Sequence, residues 1–240
     1  MKRDFKQKYK RTVLGMGWSL LSPLLTLLIL NFVFGSFFGN RTEHYTIYLF
    51  CGNLLFHYYS ESTKGGMNSL ITNAKIFTKV NVPKYLFLFS KNISALINFG
   101  LSLLIFFVFC LFDGIDFGVH LLALVYPILC IIVFNIGIGL ILSALFVFYR
   151  DIAYLYDVFT MLVMYASAIF YTVDILPENM QSLFYLNPIY TYITYFRTVV
   201  IKCALPSWEL HALCAFYAVL AFAIGFIIYK RNNHKFLYYV

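Results

Sequence analysis

In a chain of 240 residues, 62% of the side chains are apolar, only 12% are charged and the mean hydropathy is +0.80, a charged share about half that of an ordinary soluble domain. Such a chain cannot wrap one core in a water-facing surface, so lipid is its expected solvent and most enzymes with solvated folds are excluded. The net charge of +8 is distributed between apolar runs, which reads as membrane topology and not as a nucleic-acid footprint.

The chain opens on a basic segment, KRDFKQKYKR, with Phe5 and Tyr9 four apart on one helical ridge. Residues 1–12 are predicted to lie along the cytoplasmic interface, where Lys2, Arg3, Phe5, Tyr9 and Arg11 would meet anionic lipid or a partner. The uncharged stretch 12–40 follows. It is longer than the apolar core of a cleavable signal, so it is expected to stay as the first span, about 13–38. Gly35 and Gly39 form a G-x-x-x-G step on it.

A second span is expected at about 44–66, with Glu61 placed to pair with Lys64 near its inner end. The longest cytoplasmic connection, 64–84, is polar, carries Gly and Asn, ends near Pro83 and has helical potential around 69–78. The third and fourth spans fall at about 86–112 and 118–147. Asn135, Gly139 and Ser143 make a small, polar ridge on the fourth, suited either to dimer contact or to packing within the chain. Arg150 and Asp151 precede the fifth span, about 152–173, and are read as a pair fixing that helix end. Tyr154, Asp157, Met161, Tyr165 and Ala168 follow one ridge, so an acid and two phenols share a face that should avoid lipid. The last span is expected at about 209–229.

A further uncharged window, 179–196, is interrupted by Pro188. Counting it as a span would export the basic C-terminal end. With six spans and both ends inside, fifteen of the eighteen Lys and Arg lie in the cytoplasm and only Arg41, Arg197 and Lys202 lie outside, the asymmetry expected of a membrane protein. Residues 175–206 are therefore predicted to form a re-entrant or surface helical hairpin, with Asn187 as N-cap and Pro188 at the first helical position. Irregular backbone at that depth must be shielded by protein or by a wet cavity. The expected fold is all-α: one polytopic domain over residues 1–240.

No catalytic or metal-ligating set is recognisable. The phosphate loop G-x-x-x-x-G-K-[ST] is missing, so the chain is not expected to hydrolyse ATP itself. H-E-x-x-H and G-x-S-x-G are also missing, and the five histidines and five cysteines show no metal or disulfide spacing.

Four segments in order carry a resemblance: KRDFKQKYKRTVLGMGWSLLSPLL at the first span, NAKIFTKVNVPKYLF in the cytoplasmic loop, YRDI at 149–152 and LPENMQSLFYLNPIYTYITYFRTVV in the outer hairpin. They make the chain similar, nearly end to end, to the transmembrane subunit of ABC type-2 exporters of bacterial O-antigen, capsule and teichoic acid. The resemblance implies a homodimer with two ATP-binding subunits, which would hold ATP and Mg, in the inner membrane, moving a lipid-linked glycan between the two permease halves. The sequence departs from that pattern in a short N-terminal segment and in Ala168, which stands where a proline kink is usual and suggests a straighter fifth helix.

Within that frame Lys75, Phe77, Lys79 and Pro83 are expected to couple to the ATPase, because the 73–84 loop is the one long enough to dock. The alternative is a solvated loop whose lysines only set topology. Sugars offer hydroxyls and apolar faces, so Tyr185, Tyr190, Tyr192 and Tyr195 are candidate exit-gate residues, with Arg197 able to hold a phosphate or a helix end, and Tyr154, Asp157 and Tyr165 are candidates for the path. An interfacial aromatic belt would use the same tyrosines. Rival functions are export of a drug, peptide or simple lipid by the same architecture, or a membrane scaffold or lipid-modifying enzyme without an ATPase.

Overall fold

The computed structural model describes residues 18–39, 43–77 and 82–239. The interfacial contacts expected of Lys2, Arg3, Phe5, Tyr9 and Arg11, and the coupling role of Lys79, lie outside the described residues. Among the described residues every regular element is helical: α1 (Trp18–Phe38), α2 (Tyr45–Thr72), α3 (Ala74–Phe77), α4 (Tyr85–Phe112), α5 (Val125–Phe148), α6 (Ile152–Ala166), α7 (Glu178–Gln181), α8 (Pro188–Val200), α9 (Trp208–Asn232) and α10 (Phe236–Tyr239). Single 3-10 segments precede α5 and flank α7.

Among the described residues, three stretches are long and apolar enough to cross a membrane: Tyr85–Phe112, Val119–Phe148 and Trp208–Asn232. Large apolar side chains such as Phe32, Leu104, Phe112, Leu155 and Val158 stand exposed on the outside of the helices, far more than a water-soluble monomer presents. The apolar parts of α1 and α6 are shorter. α2 has 28 residues but carries polar side chains along its length.

Close backbone approach organises the bundle. α5 sits between α9 and α2. A Cβ on Gly137 would stand 2.5 Å from Phe222 N and closer still to the Ala221 carbonyl carbon, and one on Gly225 would strike the Gly137 carbonyl. On its other side a Cβ on Gly66 would come within 3.1 Å of Gly139 Cα. This explains why α2 runs on through Gly65 and Gly66 to Thr72, six residues past the expected end of the second span: the glycine serves helix contact and does not break the helix. Asn135, Gly139 and Ser143 are all buried inside the chain, so that ridge packs within the protomer.

The main core joins α2, α4, α5, α8 and α9 around Phe50, Tyr58, Phe106, Tyr192 and Phe196. A second, smaller cluster lies at the opposite end, where Leu70, Leu88, Leu140, Ala144, Val147, Tyr229 and Phe236 meet.

α6 departs from expectation. It has 15 residues and stops at Ala166, and Ala168 adopts φ 47°, a left-handed conformation unfavourable for a residue with a Cβ. The lack of proline does not make a straighter helix. The backbone leaves the helix because side chains from elsewhere claim its carbonyls. The N-terminal cap of α8 is as the sequence indicates: Asn187 Oδ1 accepts from Ile189 N at 3.0 Å and Pro188 occupies the first turn.

Candidate functional site

The irregular segment after α6 is enclosed by a collar of donors. Asn187 Nδ2 donates to Ala166 O at 3.2 Å and to Ser167 Oγ at 2.9 Å. Arg197 donates through Nη1 to Ala168 O at 3.0 Å and through Nη2 to Ile169 O at 3.1 Å. Tyr45 Oη donates to Phe170 O at 2.7 Å, and Tyr48 Oη to Tyr171 O at 2.7 Å. The carbonyls of Ala166, Ala168, Ile169, Phe170 and Tyr171 thus find partners, as irregular backbone away from water requires. Arg197 also donates to Tyr48 O through Nη2 at 3.2 Å, and its guanidinium lies over the Tyr48 ring at 3.4 Å from the centroid. Gly52 makes room for it, since a Cβ there would come within 3.0 Å of Nη2.

Arg197 is therefore only 8% exposed and committed to backbone carbonyls. Of the two roles sequence suggests, holding a helix end is the one its geometry performs; a phosphate would find its donors occupied.

The four tyrosines expected at an exit gate divide. Tyr192 and Tyr195 are fully buried; Tyr192 Oη donates to Cys214 O at 3.0 Å and Tyr195 Oη pairs with His211 Nε2 at 2.8 Å. Their hydroxyls lock α8 onto α9, which corrects the expectation that they face a passing polymer. Tyr190 is also buried and stacks edge-on with Phe184 and Tyr185. Tyr185 is the partly open member of the four, 38% exposed.

On α6, Tyr154, Asp157, Met161 and Tyr165 do share an open face, while Ala168 lies past the helix and is buried. Tyr156, Thr160 and Val163 form the inward face. Two polar contacts tie α6 to α2: Tyr156 Oη donates to Thr63 Oγ1 at 2.6 Å, and Lys64 Nζ pairs with Asp157 Oδ1 at 2.7 Å. Lys64 thus reaches across to α6, and Glu61 Oε1 accepts from Asn98 Nδ2 of α4 at 2.7 Å. Asp151 sits at the N-terminus of α6 without a side-chain capping bond, and the exposed Arg150 lies over the Phe146 ring, so these two neighbours do not cap the helix.

Sequence reading passed over the polar ridge of α2. Asn53, His57, Glu61, Lys64 and Asn68 follow at steps of four, four, three and four residues, one face of a helix. A pocket of about 20 Å³ beside the ridge is lined by Thr26, Asn53, His57, Glu61 and Ser102. Beyond it an open hollow of about 580 Å³ is bordered by Asn31, Glu43, His44, Thr46 and Asp113, with His44 paired to Asp113. From Thr46 to Asn68 the helix climbs about 33 Å, close to the ~30 Å thickness of a bilayer's hydrocarbon core. Its polar spacing is the signal in the sequence, obscured by the two charges, Glu61 and Lys64, that end the uncharged stretch before them.

At the other end, α3 is a single turn carrying the exposed Lys75, and Phe77 closes it. Pro83 is exposed, and Lys84 Nζ donates to Asn233 O at 2.7 Å; burial lowers the pKa of that ammonium. The described residues hold no group of three or more metal-ligating side chains.

Residues 1–201 match the model of the ABC-2 type transporter family. Curated relatives include an O-antigen export system permease protein RfbA of Klebsiella pneumoniae, 25% identical over 98% of this chain and 90% of its own length. A protein of the same name from Myxococcus xanthus is 27% identical over 97% of this chain and 91% of its own.

Proposed function

This chain belongs to the ABC-2 type transporter family, and on that premise we propose that it is the permease subunit of an ATP-driven exporter carrying a lipid-linked polysaccharide out of the cytoplasm. A family member with helices of this length and apolarity is an integral membrane protein and a transport subunit. The names of its curated relatives support polysaccharide as cargo. The observation that carries the reading is the polar ridge of α2, which offers hydroxyl-bonding groups over the depth of a membrane between otherwise apolar helices.

The mechanism follows from that placement. Asn53, His57 and Asn68 present side-chain donors and acceptors to sugar hydroxyls, while Glu61 and Lys64 already hold partners in Asn98 and Asp157, so no isolated carboxylate or ammonium traps a passing chain. The open face of α6, with Tyr154 and Tyr165, borders the same lane through the Lys64–Asp157 contact and offers rings for sugar faces. Tyr185 stands at the outer mouth, and the Arg197 collar fixes the shape of that mouth. The exposed α6 face is left for a second copy of the chain, which closes the lane from the other side. No bond is made or broken in this subunit. ATP and Mg belong to two partner subunits that dock on the 73–84 loop through Lys75, Phe77, Lys79 and Pro83, alongside the basic segment 1–12.

Six crossings with both ends in the cytoplasm of a bacterium agree with the distribution of Lys and Arg. The decisive experiment is deletion of the gene followed by fractionation of lipid-linked polymers. Accumulation of one polymer inside the cell, relieved by the wild-type gene and not by His57→Leu/Asn68→Leu, is expected. Normal surface polymer in the deletion strain would refute the cargo assignment.

A further inference from the structure

The C-terminal end of the chain folds back as a hook whose contacts serve neither the lane nor its mouth. Asn233, at the end of α9, offers its carbonyl to Lys84 Nζ, and the same ammonium lies 5.9 Å from the centre of the Phe236 ring. Phe236 is fully buried. Its ring packs on Tyr229 of α9 at 5.1 Å and Phe148 of α5 at 5.9 Å, and Tyr239 packs edge-on against Phe148 at 5.0 Å. Leu70 and Leu88 belong to the same cluster, with Ala74 against it. The hook thus gathers both ends of the 73–84 loop, Leu70 and Ala74 on one side and Lys84 and Leu88 on the other, onto the last turn of α5. Directly beyond that turn Tyr149 is extended, and its carbonyl accepts from Ile152 N at the start of α6.

We propose that residues 233–239 are the strut that carries movement of the 73–84 loop into the α5–α6 corner and so into α6, with Lys84 and Phe236 as positioning residues. The inference rests on the reading that an ATP-binding partner pushes on that loop. An exposed loop joined to the bundle only through its two helix ends would flex without moving α6. With Ala74 packed against the Phe236 cluster at one end and Lys84 tied to the Asn233 carbonyl at the other, displacement of those two ends shifts Phe148, because close-packed side chains transmit strain instead of absorbing it. A merely solvated tail would leave Phe236 in water and Lys84 free to extend.

The test uses the full chain assembled with its ATP-binding partner in membrane vesicles, with Cys203→Ser to remove the exposed native thiol and Tyr154→Cys as a reporter on the open face of α6. Maleimide labelling of the reporter is expected to change at least fivefold on addition of ATP and Mg. With Lys84→Met or Phe236→Ala that change is expected to fall below twofold, while partner co-purification and ATP hydrolysis stay within twofold of the unmodified complex. Lys84→Arg, which keeps a cation over the ring, should restore the response. A nucleotide response that survives both substitutions, or one absent with the hook intact, overturns the strut. Loss of the partner with either variant also overturns it, making the hook a docking face. The readout needs no polysaccharide, so failure of the cargo assignment is seen separately in the deletion strain.

Discussion

Replacing Gly137 by alanine tests whether the α5–α9 crossing sets the spacing of the whole bundle. The added Cβ would stand 2.5 Å from Phe222 N, whereas ordinary contact begins at 3.4 Å, a shortfall of about 1 Å. The obstructing atoms are backbone, so no rotamer change relieves the clash and α9 must move away bodily. Overpacking of this kind costs about 1–3 kcal/mol, and the absence of a yielding side chain puts Gly137→Ala near about 3 kcal/mol, roughly a hundredfold in the folding equilibrium. Gly225→Ala strikes the same crossing from the other helix. Once one substitution has separated the pair, the second meets a gap, so the double variant should lose at least about 1 kcal/mol less than the sum. Gly100 gives the control: a Cβ there meets nothing within 4 Å, and Gly100→Ala should stabilise α4 by roughly 0.5–1 kcal/mol through backbone entropy. Titration with SDS in mixed micelles, followed by helical circular dichroism, reads all four variants against the wild type. A wild-type midpoint for Gly137→Ala, or strict additivity in the pair, would refute the packing argument.

Three other outcomes follow from the site. Arg197→Met removes the described donor to Ile169 O and the stacking on Tyr48; an unsatisfied buried carbonyl costs about 1–3 kcal/mol, so the segment between α6 and α8 should become protease-sensitive, with Arg197→Lys intermediate because an ammonium cannot span three carbonyls. Lys64→Asp should abolish most export, and Lys64→Asp/Asp157→Lys should recover part of it, while neither change moves the unfolding midpoint by more than about 1 kcal/mol, because the pair is 40% and 61% exposed. Lys75→Glu with Lys79→Glu should release the ATP-binding partner on co-purification; retention at wild-type yield would remove the loop from the docking surface.

The sequence made the helical class and the Asn187 cap of α8 legible, because each depends on local rules: long uncharged stretches, and an asparagine followed by a proline at a helix start. It did not reveal that α2 continues to Thr72, since Gly65 and Gly66 look like a break until Gly139 is seen against them. Nor did it reveal the end of α6 at Ala166. That stop is imposed by Asn187, Arg197, Tyr45 and Tyr48, which approach from residues 21 to 125 positions away. Tyr192 and Tyr195 look equivalent to Tyr185 in a string of aromatics, and only the neighbouring α9 decides which of them turn inward.

The shortness of α6 also bears on the lipid around it. Fifteen helical residues reach about 22 Å, some 8 Å less than the hydrocarbon depth of a typical bilayer. The depth that α6 leaves uncovered falls to the irregular residues that follow it, whose carbonyls at Ala168, Ile169, Phe170 and Tyr171 arrive already paired with Arg197, Tyr45 and Tyr48. A short helix is thereby extended without offering bare backbone to an apolar neighbour, whether acyl chains or a second copy of the chain.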